Sequence, residues 1–263
     1  MPVNVKAKLV IKEQLKSDIF KFGVESKEIT EVAKPGQFLE IKVIDNLMPL
    51  LRRPISIYNI DKENGIVEFI FQVKGKGTDL LAKREIGQEI DIVGPLGYGT
   101  FNYASYENIA IIGGGIGVFP LHELSKSAKQ DGKNVNVYLG FRNKEFVVLE
   151  EEFKNVSNKL CITTDDGTYG NKGFAINFLK EDIENGKIDC IYACGPLPML
   201  KAVKSLAEEA NIPCQISLEE RMACGLGVCL GCAVKTADSP AENPKYVHVC
   251  KEGPVFDSKV VEI

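Results

Sequence analysis

The sequence has no tryptophan and only two histidines, His122 and His248. Neither histidine has the spacing of a metal pair, and each reads as a surface or packing residue rather than an acid–base catalyst. Basic runs and aromatic-rich basic stretches are also missing, and the net charge is −4. A nucleic-acid surface is therefore not advertised. No uncharged apolar run is long enough to span a bilayer, and the opening Met1-Pro-Val-Asn-Val-Lys6 lacks an apolar signal core. The expectation is a cytoplasmic protein that engages neither membrane nor nucleic acid. Internal repeats and low-complexity segments are absent as well.

The chain does have cysteine, eight of them. Four stand in one pattern: Cys224-x4-Cys229-x2-Cys232, then 17 residues, then Cys250. Three thiolates in a tight loop with a fourth returning from a later segment is the plant-type spacing for a two-iron, two-sulfur cluster. Gly225, Gly227 and Gly231 allow the backbone to wrap closely and aim N–H groups at sulfur. Zinc is the rival, but structural zinc favours two Cys-x2-Cys knuckles and only one pair here has that spacing. A disulfide framework finds no other sign of an oxidising compartment. Cys161, Cys190 and Cys214 sit in or beside apolar strand-like runs and read as inert core thiols. Cys194 admits two readings, a strand-end core thiol or a small polarizable group beside a ring.

At 263 residues the chain has length for two domains plus a small appendage. Residues 1–102 read as β. Val3, Val5, Ala7, Leu9 and Ile11 alternate with polar neighbours, the period of a half-buried strand. Strand-like runs follow at Ile19–Val24, Phe38–Ile44, Ile55–Ile60, Ile66–Val73 and Glu89–Val93. Turn signals separate them at Lys34-Pro-Gly36, Asp45-Asn46, Glu63-Asn-Gly65 and Gly94-Pro-Leu-Gly-Tyr-Gly99. Short strands at near-regular spacing predict a small antiparallel barrel, interrupted by a helix at Thr78–Lys83.

Residues 103–218 change rhythm. Strands at Asn108–Ile112, Val135–Leu139, Leu160–Thr164, Cys190–Cys194 and Gln215–Leu218 alternate with helices ending near Gln130 and spanning Leu149–Lys154, Phe174–Glu181 and Leu197–Ala210. Such alternation predicts a doubly wound parallel sheet. Residues 219–263 hold the cysteine loop and two short strands, Ala233–Lys235 and Tyr246–Val249.

Three loops lie at the carboxyl ends of the predicted parallel strands, where open sheets bind ligands. Gly113-Gly-Gly-Ile-Gly117 leads into a helix, and its N–H groups can hold a phosphate. It is not a clean Gly-x-Gly-x-x-Gly, since Phe119 and Pro120 stand where the pattern would continue, and a tight turn that packs helix on sheet would need the same glycines. Cys194-Gly-Pro196 opens another helix, with proline in its first turn. Thr163-Thr-Asp-Asp-Gly-Thr168 is the third. In the first domain, Arg53 can pair with a phosphate and Ser56 can hydrogen-bond a flat heterocycle. Lys74-Gly-Lys-Gly-Thr78 precedes a short helix. Each of these two would pass as ordinary barrel surface if it stood alone.

Barrel first, nucleotide sheet second, cluster loop last: this order, with those motifs, resembles the ferredoxin-NADP reductase superfamily over roughly the whole chain. The resemblance implies FAD on Arg53-Pro54-Ile55-Ser56, on Ile70-Phe71-Gln72 and on Gly77-Thr78. It implies NAD on Gly113, Gly114, Gly115, Gly117, Cys194, Gly195 and Pro196. It implies a [2Fe-2S] cluster on Cys224, Cys229, Cys232 and Cys250. The strings Arg-Pro-Ile-Ser-Ile, Lys-Gly-Lys-Gly-Thr, Gly-Gly-Gly-Ile-Gly-Val and Glu-Glu-x-Met-Ala-Cys-Gly look like the electron-transfer subunits of NAD-linked dihydroorotate dehydrogenases. Phe119 departs from the small residue or proline of that pattern. This narrower resemblance implies an FMN-containing catalytic partner, a heterotetramer of two of each subunit, and transfer from FMN through the cluster and FAD to NAD⁺. The site of pyrimidine chemistry is then expected on the partner.

Two other readings share the layout: a flavin subunit of a sulfide dehydrogenase or ferredoxin-NAD(P) reductase, and, from a different class, a non-catalytic iron–sulfur redox sensor. Arg142 and Lys144, after strand Val135–Leu139, suit either a 2′-phosphate or a solvated loop. Glu150–Glu152 and Glu219-Glu220 read as solvated charge, although either of the last two can approach a flavin from the cluster side.

Overall fold

The structure, a computed structural model, describes residues 2–44 and 49–263. The turn expected at Asp45-Asn46 lies outside the described residues. Two compact units form. One takes the chain through Thr100 together with Glu219–Ala233 and Val247–Pro254, and the other takes Phe101–Leu218, Val234–Tyr246 and Val255–Ile263.

The first unit opens with β1 (Val3–Lys16), β2 (Ile19–Glu25), the short α1 (Lys27–Thr30), β3 (Phe38–Lys42), β4 (Arg53–Asp61), β5 (Ile66–Gln72), α2 (Lys76–Ala82) and β6 (Glu89–Leu96). The six strands close into a barrel in the order β1-β2-β5-β4-β3-β6, which removes free sheet edges. Period-two patterning puts Leu9, Phe22, Leu39, Ile41, Phe69 and Ile92 inside. Phe22 lies 6.0 Å from Phe69 and 5.2 Å edge-on from Phe71 between ring centroids. With Phe69 fully buried, Phe69→Ala is expected to lower stability by about 3–5 kcal/mol, read as a shifted denaturant midpoint. β6 runs on through Gly94-Pro95 to Leu96, where the sequence suggested a turn. Phe38 and Leu96 are paired there, so inter-strand contact overrides the local Gly-Pro signal. α2 likewise begins at Lys76, because Gly75 caps it and the Thr78 hydroxyl turns back on Gly75.

The second unit carries β7 (Asn108–Gly114), α3 (Leu121–Gln130), β8 (Asn134–Phe141), α4 (Glu150–Asn155), β9 (Lys159–Thr164), β10 (Asn171–Lys172), α5 (Ala175–Glu184), β11 (Cys190–Cys194), α6 (Leu197–Glu209) and β12 (Cys214–Ser217). After the ribbon of β13 (Ala233–Lys235) and β14 (Tyr246–His248) comes β15 (Val255–Asp257). The sheet order is β10-β9-β8-β7-β11-β12-β15. Ile109–Ile112 of β7 is wholly buried, as expected of a parallel strand covered on both faces. The sheet is not wholly parallel, however, since β15 joins β12 antiparallel. Three residues give no readable period, so this last strand is visible only through its partner. No helix among the described residues is long and apolar enough to cross a membrane.

Candidate functional site

In the first unit, the cysteine loop folds inward on its own backbone. Cys229 is exposed, Cys224 half-buried, and Cys232 and Cys250 buried. The N–H groups of Leu226 and Cys229 donate to Cys224 Sγ, each at 3.4 Å. Gly227 N–H donates to Cys250 Sγ at 3.1 Å, and Cys250 N–H donates to Cys232 Sγ at 3.4 Å. Gly225 and Gly227 adopt φ of +67° and +77°, which lets these N–H groups face the sulfurs. Gly231 lacks such a φ, and a Cβ there would sit an ordinary 3.6 Å from Cys229 Sγ; the loop does not require glycine at that position. Burial opposes ionisation of Cys224, but N–H donation from Leu226, Cys229 and Val228 outweighs it and brings the thiol down to about 6, toward the thiolate that ligates metal.

Cys229 is tied to Cys224 through its N–H, and Cys250 to Cys232 through its own. Among the described residues no three His, Cys, Asp or Glu side chains gather as a single-ion site. Sulfurs that accept several backbone N–H groups fit the thiolate ligands of an iron–sulfur cluster, whose potential such bonds tune. Around them Leu226, Val228 and Leu230 are 50%, 78% and 60% exposed. Beside the loop lies a cleft of about 230 Å³ lined in part by Lys34, Gln37, Tyr98, Leu226, Cys250 and Lys251.

On the barrel itself, Arg53 opens β4 and Gly77 lies in the first turn of α2. They are in contact: a Cβ on Gly77 would fall 2.5 Å from Arg53 Cζ. A guanidinium is thus set beside a helix turn whose first N–H groups have no intrahelical acceptor. Arg53 Nη1 donates to the carbonyls of Leu51 and Arg52 at 2.6 and 3.1 Å, which fixes its direction. Pro54 and Ser56 are half-buried on the strand, and Ile55 is buried. Ile70 and Phe71 are buried, Phe71 within the barrel core. Gln72 donates to Asp18 Oδ2 at 2.7 Å.

In the second unit, β7 and β11 are neighbours with Gly113 opposite Cys194. Connections leave them toward opposite sides of the sheet, to β8 and to β12, so their carboxyl ends form the switch point where open sheets take nucleotides. The two loops there touch backbone to backbone. A Cβ on Gly117 would fall 2.6 Å from Gly195 Cα and 2.7 Å from the Cys194 carbonyl oxygen. One on Gly114 would meet Met199 Sδ at 2.8 Å and Pro196 Cδ at 2.9 Å. Gly115, at φ +55°, faces open space. The glycine turn does not run straight into a helix: Gly115–Val118 makes one 3-10 turn, and α3 starts only after Pro120. Cys194 is buried at the strand end. Beyond β8, the Arg142 guanidinium sits 5.5 Å over the Phe146 ring and Lys144 Nζ 5.8 Å over Tyr169, so both cations face aromatic rings.

His122 is buried with its ring edge-on to Phe153 at 5.6 Å, and His248 lies 3.4 Å from Glu252; both are packing or pairing residues. Glu150 is not merely solvated, because it accepts from the Tyr169 hydroxyl at 2.6 Å. Glu219 and Glu220 are exposed. Cys161, Cys190 and Cys214 are buried, and burial pushes Cys190 up to about 11 and Cys214 up to about 12, as inert thiols should be. One residue the sequence did not single out stands beside the cysteine loop: Glu40 of β3, 2% exposed. Burial pushes its carboxyl up to about 7; Arg52 and Arg53 pull it down and Cys224 pushes it further up.

Three family models match the chain. They are an oxidoreductase FAD-binding domain over residues 5–103, an oxidoreductase NAD-binding domain over 111–205, and the iron–sulfur cluster binding domain of dihydroorotate dehydrogenase B over 219–262. The electron transfer subunit of dihydroorotate dehydrogenase B (NAD(+)) from Lysinibacillus sphaericus is 41% identical over 260 residues, covering 98% of each chain. Its counterpart from Bacillus pumilus is 40% identical over 257 residues, 97% of this chain and 96% of the other. Among solved structures, one from work on an NADH-dependent reduced ferredoxin-NADP oxidoreductase aligns with a TM-score of 0.85 at 30% identity, covering 98% of this chain and 90% of that one. The ferredoxin reductase of carbazole 1,9a-dioxygenase shares the fold at a TM-score of 0.69 and 20% identity, over 81% of this chain and 67% of its own. With near-complete coverage at about 40% identity, and all three cofactor-binding models in order, the chain belongs to the family of dihydroorotate dehydrogenase B (NAD(+)) electron transfer subunits.

Proposed function

We propose that this chain receives electrons from dihydroorotate oxidation at an FMN in a catalytic partner subunit and passes them to NAD⁺, serving pyrimidine (UMP) biosynthesis in the cytoplasm as a heterotetramer of two of each subunit. The observation that carries the reading is the set of loop N–H groups that converge on the sulfurs of Cys224, Cys232 and Cys250, set under an exposed apolar rim.

Three stretches divide the cofactor work, 1–102 for FAD, 103–218 for NAD and 219–263 for the cluster, although the chain packs as two units. Cys224, Cys229, Cys232 and Cys250 hold the cluster. Arg53 and the turn at Gly77-Thr78 hold the FAD pyrophosphate, while Pro54, Ser56 and the backbone of Ile55 and of Ile70–Gln72 line the isoalloxazine; the Ile55 and Phe71 side chains turn into the barrel core instead. Gly113, Gly114, Gly115, Gly117, Cys194, Gly195 and Pro196 hold the nicotinamide nucleotide. When bound, the cluster carries single electrons and the flavin exchanges either single electrons or a hydride. The N–H groups of Leu226, Gly227, Cys229 and Cys250 offset negative charge on sulfur, which favours the reduced state. Leu226, Val228 and Leu230 form an apolar rim that a docked subunit would cover, excluding water around the cysteines. Arg142 and Lys144, each over an aromatic ring, leave the loop beyond β8 better suited to NAD than to a 2′-phosphate.

Anaerobic visible spectra test this. Flavin bands over an iron–sulfur shoulder, both bleached by NADH, are expected; adding the FMN partner and dihydroorotate should then yield NADH from NAD⁺. A colourless zinc protein would overturn the reading. The likeness to the NADH-dependent reduced ferredoxin-NADP oxidoreductase structure favours a second reading, as the flavin and iron–sulfur subunit of a ferredoxin-NAD(P) reductase; that reading predicts bleaching by NADH but no dihydroorotate-dependent NADH.

The Arg53–Gly77 contact supplies a local prediction. Gly77→Ala drives a methyl into the guanidinium, displacing Arg53 rather than the backbone. Losing a charge-assisted hydrogen bond of about 1.5–3 kcal/mol should weaken FAD retention by about tenfold or more, measured by fluorescence titration of the deflavinated protein. The melting temperature without FAD should hardly change.

A further inference from the structure

Strand β3 alternates as a barrel strand should: Leu39 and Ile41 point into the core. Glu40 points the other way and ought to meet water, yet it is 2% exposed. Its cover is the cysteine loop. A Cβ on Gly225 would fall 2.6 Å from Glu40 Cγ and 2.8 Å from Oε1, so the carboxyl lies directly against the residue after Cys224. Glycine is required there twice over, by its φ of +67° and by this contact.

Glu40 also has no conventional partner. Neither carboxyl oxygen accepts or donates a hydrogen bond among the described residues. Arg52, the nearby cation, is committed elsewhere: Nη2 binds Asp91 Oδ1 at 2.7 Å and Nη1 binds the carbonyl of Asp91 at 3.0 Å. Arg52 reaches Glu40 only at its backbone carbonyl, at 3.4 Å. A buried polar group left unsatisfied is costly, and such a group calls for an explanation. On the strand, Glu40 pairs with Pro54, the second residue of the Arg53–Ser56 segment. The same carboxyl therefore stands between the strand assigned to the flavin and the loop assigned to the cluster.

We infer that Glu40 is a positioning residue for the iron–sulfur cluster, its buried carboxyl lying against Gly225 and bracing the Cys224 end of the loop over β3 and β4. The inference rests on the cofactor assignment proposed above. It gives a place in the loaded site to a buried carboxyl that has no hydrogen-bond partner among the described residues. Charge and solvent exposure around a cluster help set its reduction potential, so removing this polar group should register at the cluster.

The test uses the full chain with FAD and cluster bound, and compares Glu40→Leu with Glu40→Gln. Leucine fills the space without a polar atom, while glutamine keeps the shape and a donor. The readouts are the electron paramagnetic resonance spectrum of the dithionite-reduced cluster and its midpoint potential, with flavin absorbance as the control for folding. Expected for Glu40→Leu are altered g values and a shifted midpoint potential, about tenfold in the cluster's redox equilibrium, which is ~59 mV for one electron. Glu40→Gln should restore both toward wild type. A wild-type spectrum and potential in Glu40→Leu would overturn the inference, as would equal changes in the two variants, which would mean packing alone. No cluster signal in the wild-type protein would instead overturn the cofactor assignment itself.

Discussion

Cys250→Ala is expected to give a yellow flavoprotein that has lost its iron–sulfur spectrum and no longer couples dihydroorotate oxidation to NAD⁺ reduction. Cys250 is the thiol that returns from a distant segment. It is buried, accepts from Gly227 N–H at 3.1 Å, and donates its own N–H to Cys232 Sγ at 3.4 Å. Alanine leaves the ligand set one thiolate short and the loop without the acceptor that draws Gly227 inward. A cluster needs all four thiolates, so loss should be complete rather than graded. The barrel cradle at Arg53 and Gly77 and the glycine loops of the second unit use no atom of Cys250, so NADH-dependent dye reduction should persist near wild type. Cys161→Ala is the matched control. Cys161 is a buried thiol on β9 outside the loop, and its loss should cost about 1 kcal/mol of stability with both activities intact. Dihydroorotate-driven NADH formation that survives in Cys250→Ala would mean that electrons reach the flavin without the cluster.

The contrast between Cys250 and Glu40 says what the sequence could disclose. The cysteines announce themselves through spacing, because a covalent ligand set has a chain-length signature that survives without structure. The barrel and the sheet were legible for a similar reason. Period-two runs such as Val3–Ile11 and continuous apolar runs such as Ile109–Ile112 record burial locally. Glu40 records nothing local, since a charge on a strand between Leu39 and Ile41 reads as a solvent-facing position. Only the fold brings Gly225, far along the chain, over it. β15 was hidden in the same way: three residues acquire strand character only by pairing with β12. The passage of β6 through Gly94-Pro95 shows strand pairing overriding a turn signal, whereas α3 starts late, at Leu121, because the glycine turn first winds into a 3-10 turn. The split into two units was out of reach too, because the cysteine segment contributes Glu219–Ala233 and Val247–Pro254 to the barrel unit and its remainder to the other. No composition shift marks those crossings.

Gly117→Ala should raise the KM for NADH by about 10²-fold while flavin and cluster spectra stay unchanged. The reason is what surrounds the missing Cβ. It would lie 2.6 Å from Gly195 Cα and 2.7 Å from the Cys194 carbonyl oxygen, and both neighbours are backbone. Neither can swing aside as a side chain would, so the ends of β7 and β11 must separate. Displacements on the order of 1 Å in groups that hold a reactant cost about 10²-fold, and here they fall on both loops assigned to the nucleotide. Gly115→Ala provides the opposite case within the same turn. Its φ of +55° makes alanine strained, yet nothing lies within 4 Å of the added methyl. The cost there should be about 1–2 kcal/mol of backbone strain, felt in stability more than in NADH affinity. Steady-state dye reduction with NADH varied, together with calorimetric titration by NAD⁺, separates the two effects. If Gly117→Ala folds and keeps its NADH affinity, the junction of these two loops is not where the nucleotide binds. If Gly115→Ala suffers the larger loss, the open face of the turn matters more than the junction, and the pyrophosphate would then lie over Gly115 rather than between the strand ends.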